Sequence, residues 1–256
     1  MTYIAISFLF SWAIWIACWL LARQAVSTDI LTPIVIAGSF GPFIASGICT
    51  AATSGLRGMF ALYRRGLDWR MGWLVFVVSV VLLPALAILT AALFHQPRLQ
   101  IPLAELPLVT LWLFVLGGPL AEEFGWSYLS DLLDTRFNIA LSTFLLAIVW
   151  GFWHLPLFFL SIPGLEQKFI PFPLFLFMSV MARFLFSWSY HRSGRNILSN
   201  LLIHNGLNLS LSLVAIVLPV TGTMQPRLIC LCTLTGLCAA VLWRAMPPTR
   251  QQDLLF

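Results

Sequence analysis

Glu122 and Glu123 are adjacent acids in Gly117-Gly118-Pro119-Leu120-Ala121-Glu122-Glu123-Phe124-Gly125-Trp126, a stretch that is otherwise almost free of polar side chains. His154 stands in Trp150-Gly151-Phe152-Trp153-His154-Leu155-Pro156, and His204 in His204-Asn205-Gly206-Leu207-Asn208. A carboxylate beside an imidazole can draw a proton from water, and imidazoles and carboxamides can donate to an oxyanion. Those are the tools of hydrolysis. Similar groups also build proton relays in transporters, and two Glu with two His could hold zinc. Zinc is the minor alternative, because no HExxH occurs and the ligands would have to come from three separate segments.

Spacing sorts these residues further. Neighbours on a helix point about 100° apart, so Glu122 and Glu123 cannot do the same job. One carboxylate can face a cavity while the other holds a structural partner. Trp150 and His154 share a face at four-residue spacing, as do His204 and Asn208. The second face runs back through Asn200 and Asn196 as a polar stripe, which must line a bundle interior or a wet cavity.

The elements that carry these residues are membrane helices. Hydrophobic residues make up 60% of the 256, and charged residues only 9%, against roughly 25% in a soluble domain. The bilayer is therefore the main solvent. Apolar runs near the length of a span fall at 3–22, 30–53, 71–95, 108–133, 139–160, 171–190, 196–218 and 226–246. The expected fold is an all-α polytopic membrane bundle of about eight helices. It forms one domain over 1–256, with the motif-bearing core at about 108–218. The first run lacks a basic leader and an A-x-A site, and reads as retained.

Nine arginines fall in the termini and even-numbered loops: Arg57, Arg64, Arg65, Arg70, Arg136, Arg192, Arg195, Arg244 and Arg250. Four basic residues fall on the other side, at Arg23, Arg98, Lys168 and Arg227. This bias puts both termini in the cytoplasm. The net charge of +5 is scattered singly, which suits lipid headgroups and argues against nucleic acid. The longest polar connection, 54–70, is expected to lie along those headgroups. Asp29, Asp68, Glu105, Asp131, Asp134, Glu166 and Asp253 read as loop, helix-end or tail acids. Cys18, Cys49, Cys230, Cys232 and Cys238 read as apolar fillers. At 1.5 Å per residue, Glu122, His154 and His204 lie about 16, 22 and 12 Å from the cytoplasmic ends of their spans. Given helix tilt, that is one layer.

At these residues the sequence resembles the CPBP family of intramembrane proteases, which groups CAAX prenyl endopeptidases with bacteriocin-processing and immunity (Abi) proteins. The family pattern is EExxxR, then FxxxH, then HxxxN on successive helices. Its counterparts are Glu122-Glu123, Trp150 to His154 with Trp for Phe, and His204 to Asn208. The likeness covers about residues 37–210, including Gly41-Pro42 and the basic loop before Trp69-Arg70.

The resemblance implies an endopeptidase of the cell membrane, bacterial plasma membrane included, acting on a membrane-associated peptide or a prenylated protein. It implies no cofactor. In that mechanism Glu122 is the general base for a water shared with His154. His204 and Asn208 donate to the oxyanion, and Glu123 orients its helix. One position departs: Ser127 stands where the pattern has Arg. Glu123 must then stay protonated or find another cation, and Arg183, charged within a span, is the candidate. Two rival readings stay open. One is a family member without turnover, serving as an immunity or scaffold protein. The other is a small transporter.

Overall fold

The computed structural model describes residues 1–96, 98–162, 165, 167–217 and 225–245. Glu166, Arg250 and Asp253 lie outside the described residues, as do the last residues of the expected spans 196–218 and 226–246. Eleven α-helices account for the described chain: α1 Thr2–Ala22, α2 Thr28–Gly38, α3 Gly41–Arg64, α4 Trp73–Val77, α5 Leu83–Leu93 and α6 Leu106–Leu116, then α7 Pro119–Asp134, α8 Ile139–Trp153, α9 Phe172–Arg192, α10 Ile197–Leu213 and α11 Pro226–Arg244. A π-helical turn, Val78–Leu82, joins α4 to α5 in one apolar segment. No strand is found among the described residues; Leu99 and Val214 form a single isolated bridge.

The apolar surface of this bundle faces outward. Leu9, Leu108, Leu111 and Val241 are each at least 60% exposed, whereas Ser7, Ser46, Glu123, Ser189 and Ser199 are fully buried. A water-soluble protein would reverse that arrangement, so lipid is the medium that satisfies it. Six helical segments are long and apolar enough to cross a membrane, and a seventh is counted when α6 and α7 are joined as one bent span. The expected eighth corresponds to α10, which has only 17 residues and carries the polar stripe. It is enclosed by α5, α6, α7 and α9 rather than by lipid.

Several expected spans are broken, each for a local reason. The run at 30–53 divides at Ser39–Phe40, and Pro42 opens α3 at a position where a missing N–H costs nothing. Downstream, 54–70 is not a polar connection. Residues up to Arg64 continue α3 past a kink at Gly55, whose φ of 68° suits glycine. The run at 108–133 bends by 46° at Gly117-Gly118, between α6 and α7. The α8 helix stops at Trp153, just ahead of Pro156, and continues as a 3-10 turn, Leu155–Phe159.

Close packing sets α7 at the centre. Gly125 lies so near Pro42 that a Cβ would collide with the Pro42 carbonyl, bringing α3 and α7 together. Phe43 stacks on Tyr63 with centroids 4.6 Å apart, and both meet Phe124 edge-on. On the other side, Trp15 of α1 donates to the Val35 carbonyl at 2.9 Å and meets Trp153 edge-on. The five cysteines are free thiols, three of them buried.

Candidate active site

The break between α6 and α7 builds the site. Gly118 has φ of 124°, a conformation side chains disfavour, and Pro119 then starts α7. Glu122 consequently falls in the first turn of α7, where the positive end of the helix dipole stabilises a carboxylate. Its Oε2 accepts hydrogen bonds from Trp126 Nε1 at 3.0 Å and Trp150 Nε1 at 2.7 Å. Its Oε1 lies against Gly118, and His204 Nε2 lies beside the same glycine.

Glu123 points elsewhere, as adjacent helical residues must. It is fully buried and held by Arg183 through both oxygens, at 2.7 and 2.9 Å. That is the bidentate geometry in which guanidinium and carboxylate bind most strongly. Arg183 is 1% exposed, and its guanidinium also lies 4.2 Å from the Trp150 ring centroid. The cation missing at position 127 therefore comes from α9. Ser127 is fully buried, and its hydroxyl accepts from Asn200 Nδ2 at 3.4 Å.

Both imidazoles have one nitrogen committed. His154 Nδ1 lies 2.8 Å from the Trp150 carbonyl, and His204 Nδ1 lies 2.7 Å from Glu123 Oε1. Carbonyl and carboxylate oxygens only accept, so each Nδ1 carries a proton, and neither Nε2 has a hydrogen-bond partner among the described residues. Asn208 Nδ2 donates to the Gly117 carbonyl at 2.8 Å, fastening the break. Its amide therefore has one donor already spent.

A cavity of about 200 Å³ is lined by Glu122, Trp150, His154, His204, Asn208 and the Gly117-Gly118 backbone. Its remaining walls are mainly apolar, from Val35 and Ile36 of α2, Leu113 and Leu116 of α6, and Leu207 and Leu211 of α10. Such a volume holds several waters beside a backbone segment. Of the five residues expected from sequence, Glu122, His154, His204 and Asn208 reach this cavity; Glu123 supports it from behind. Among the described residues no group of three His, Cys, Asp or Glu side chains is arranged to hold a metal ion.

Two features escaped the sequence reading. The indole donors are one: Trp126 follows Glu122 by four residues, which was a visible signal. The other is an ionic network at the far end of α7. There Asp131 accepts from Arg65 at 2.8 Å, Arg195 at 2.6 Å and Tyr190 at 2.8 Å, and Arg65 also bonds the Tyr190 hydroxyl. His191 Nε2 lies 2.8 Å from Asp134, the last residue of α7, which is a helix-end acid as expected but a buried one.

Fold and site together define a polytopic helical membrane protein with a carboxylate-imidazole cavity among its helices. Residues 104–210 match the family described as Type II CAAX prenyl endopeptidase Rce1-like. The chain is also 29% identical over 100 residues to CAAX prenyl protease 2 of Methanococcus maripaludis. That alignment spans 37% of this chain and 37% of the relative. The likeness to CAAX prenyl endopeptidases seen in three motifs is thus found over the segment that contains all of them.

Proposed function

We propose that this chain is an intramembrane endopeptidase that hydrolyses a peptide bond of a membrane-associated substrate with a water activated by Glu122. One observation carries the reading: Glu122, His154 and His204 line a single cavity beside Gly118, whose φ of 124° only glycine adopts readily. The second carboxylate, neutralised by Arg183, adds no competing negative charge.

In this mechanism Glu122 takes a proton from a water lying between it and His154. The resulting hydroxide attacks the peptide carbonyl carbon, and the carbonyl electrons move to oxygen. His204 Nε2, as an N–H of the imidazolium held by Glu123, donates to that oxyanion. The remaining Asn208 amide hydrogen is a second donor, and each such donor is worth about 10²–10³ in rate. Glu122 then returns its proton to the departing nitrogen as the C–N bond breaks. The apolar walls suit a lipid-anchored or hydrophobic peptide, and the matched relative's name, a CAAX prenyl protease, favours a prenylated protein. Arg183 gives Glu123 its cation, which supports turnover over a turnover-free scaffold.

Purified protein in liposomes, offered prenylated and unprenylated membrane peptides, tests the proposal. Cleavage by the wild type, reduced about 10³-fold or more in Glu122→Gln at unchanged yield and melting temperature, is the expected result. Equal cleavage by Glu122→Gln would rule the mechanism out.

A further inference from the structure

Trp126 and Trp150 place two indole N–H groups on the same oxygen of Glu122, one from the next turn of α7 and one from α8. Both residues are at most 2% exposed, Trp126 packed away from the cavity and Trp150 at its wall. The other oxygen, Oε1, accepts nothing from the described residues and faces Gly118 alongside His204 Nε2. A carboxylate torsion is otherwise soft and nearly two-fold, so an unrestrained Glu122 would present either oxygen. Arg183 covers one face of Trp150 at 4.2 Å while clamping Glu123, which ties the orientation of both acids to one guanidinium.

We infer that Trp126 and Trp150 are positioning residues that lock Glu122 Oε2, making Oε1 the oxygen that accepts the proton from water. This rests on the endopeptidase reading for its consequence, although the two bonds stand without it. The same carboxylate meets His204 at Gly118 and shares the cavity with His154. Removing one N–H frees the carboxylate to turn and withdraws a stabiliser of its charged form.

Two arms test this. In the first, protein labelled with ¹⁵N-tryptophan is compared with Glu122→Gln, with the two indole signals assigned by Trp126→Phe and Trp150→Phe. Both signals are expected at low field and to move upfield in Glu122→Gln; two unmoved signals overturn the inference whether or not any peptide is cleaved. In the second, position 150 is Phe or benzothienylalanine, the isostere with sulfur in place of N–H. With either, kcat falls about 10- to 100-fold while KM changes less than about 2-fold. An isostere variant with the wild-type kcat, or one whose loss lies in KM, overturns the inference. If the wild type cleaves nothing, the endopeptidase reading fails and the first arm alone decides.

Discussion

Arg183 reaches Glu123 from α9, where the family pattern would supply an arginine one turn along from Glu123 on α7 itself. Removing it strands a carboxylate in a fully buried site, a loss typically of about 3–5 kcal/mol. Arg183→Met should therefore lower the melting temperature and abolish cleavage. Ser127→Arg alone should also destabilise, because it adds a second cation where Glu123 is already satisfied. Combined, the two substitutions should recover part of what each loses; the check is thermal unfolding in detergent, and strictly additive losses would contradict the exchange. At this scale the sequence was informative wherever an ionisable group lay in an apolar run, since burial demands a partner. Glu122, His154, His204 and Arg183 were legible for that reason. The donor role of Trp126 and Trp150 was passed over, because tryptophan in a membrane protein ordinarily signals packing or an interface, although Trp126 stands four residues after Glu122.

Between α6 and α7, the kink does more than end a helix. Gly118 adopts a φ of 124°, and a Cβ there would press on Glu122 Oε1. Gly118→Ala is expected to cost about 1–3 kcal/mol in stability and to reduce kcat at least 10-fold, read by thermal unfolding and single-turnover cleavage. Asn208→Ala, which frees the Gly117 carbonyl, should reduce kcat while shifting the melting temperature less. Gly117-Gly118-Pro119 is a sequence able to break a helix, yet 108–133 reads as one run by hydropathy. The direction of the 46° bend was not legible, because that depends on α10 lying against the break. Residues 54–70 show the opposite failure. Their glycines and arginines look like a connection, yet Leu56, Phe60 and Leu67 make an exposed apolar face flanked by Arg57 and Arg64, and the chain stays helical to Arg64.

Taken as a whole, the molecule buries many of its polar and ionisable groups while exposing leucines and isoleucines such as Leu9, Ile30, Leu108 and Leu111. That inversion follows from composition, which is why the all-helical membrane class was legible at once. The count of spans was harder, because α10 is short and polar, and hydropathy alone does not say that a helix is buried among others. The charge bias also makes a sided claim, with Arg136 and Arg195 on the cytoplasmic face and Arg98 opposite. In a cysteine-free background, Arg136→Cys and Gln100→Cys should be labelled by an impermeant maleimide from opposite sides; labelling from one side would refute that orientation. The ionic network of Arg65, Asp131, Tyr190 and Arg195 ties the ends of α7 and α9 to the start of α10 on that expected cytoplasmic face.

The central claim is that Glu122 and His204 work as one unit across a single cavity. Single-turnover cleavage by Glu122→Gln, His204→Ala and the double variant in liposomes measures it directly. Residues of one catalytic unit are strongly non-additive, so the double variant should be no slower than Glu122→Gln alone. Losses that multiply, or a His204→Ala variant as fast as the wild type, would contradict the account.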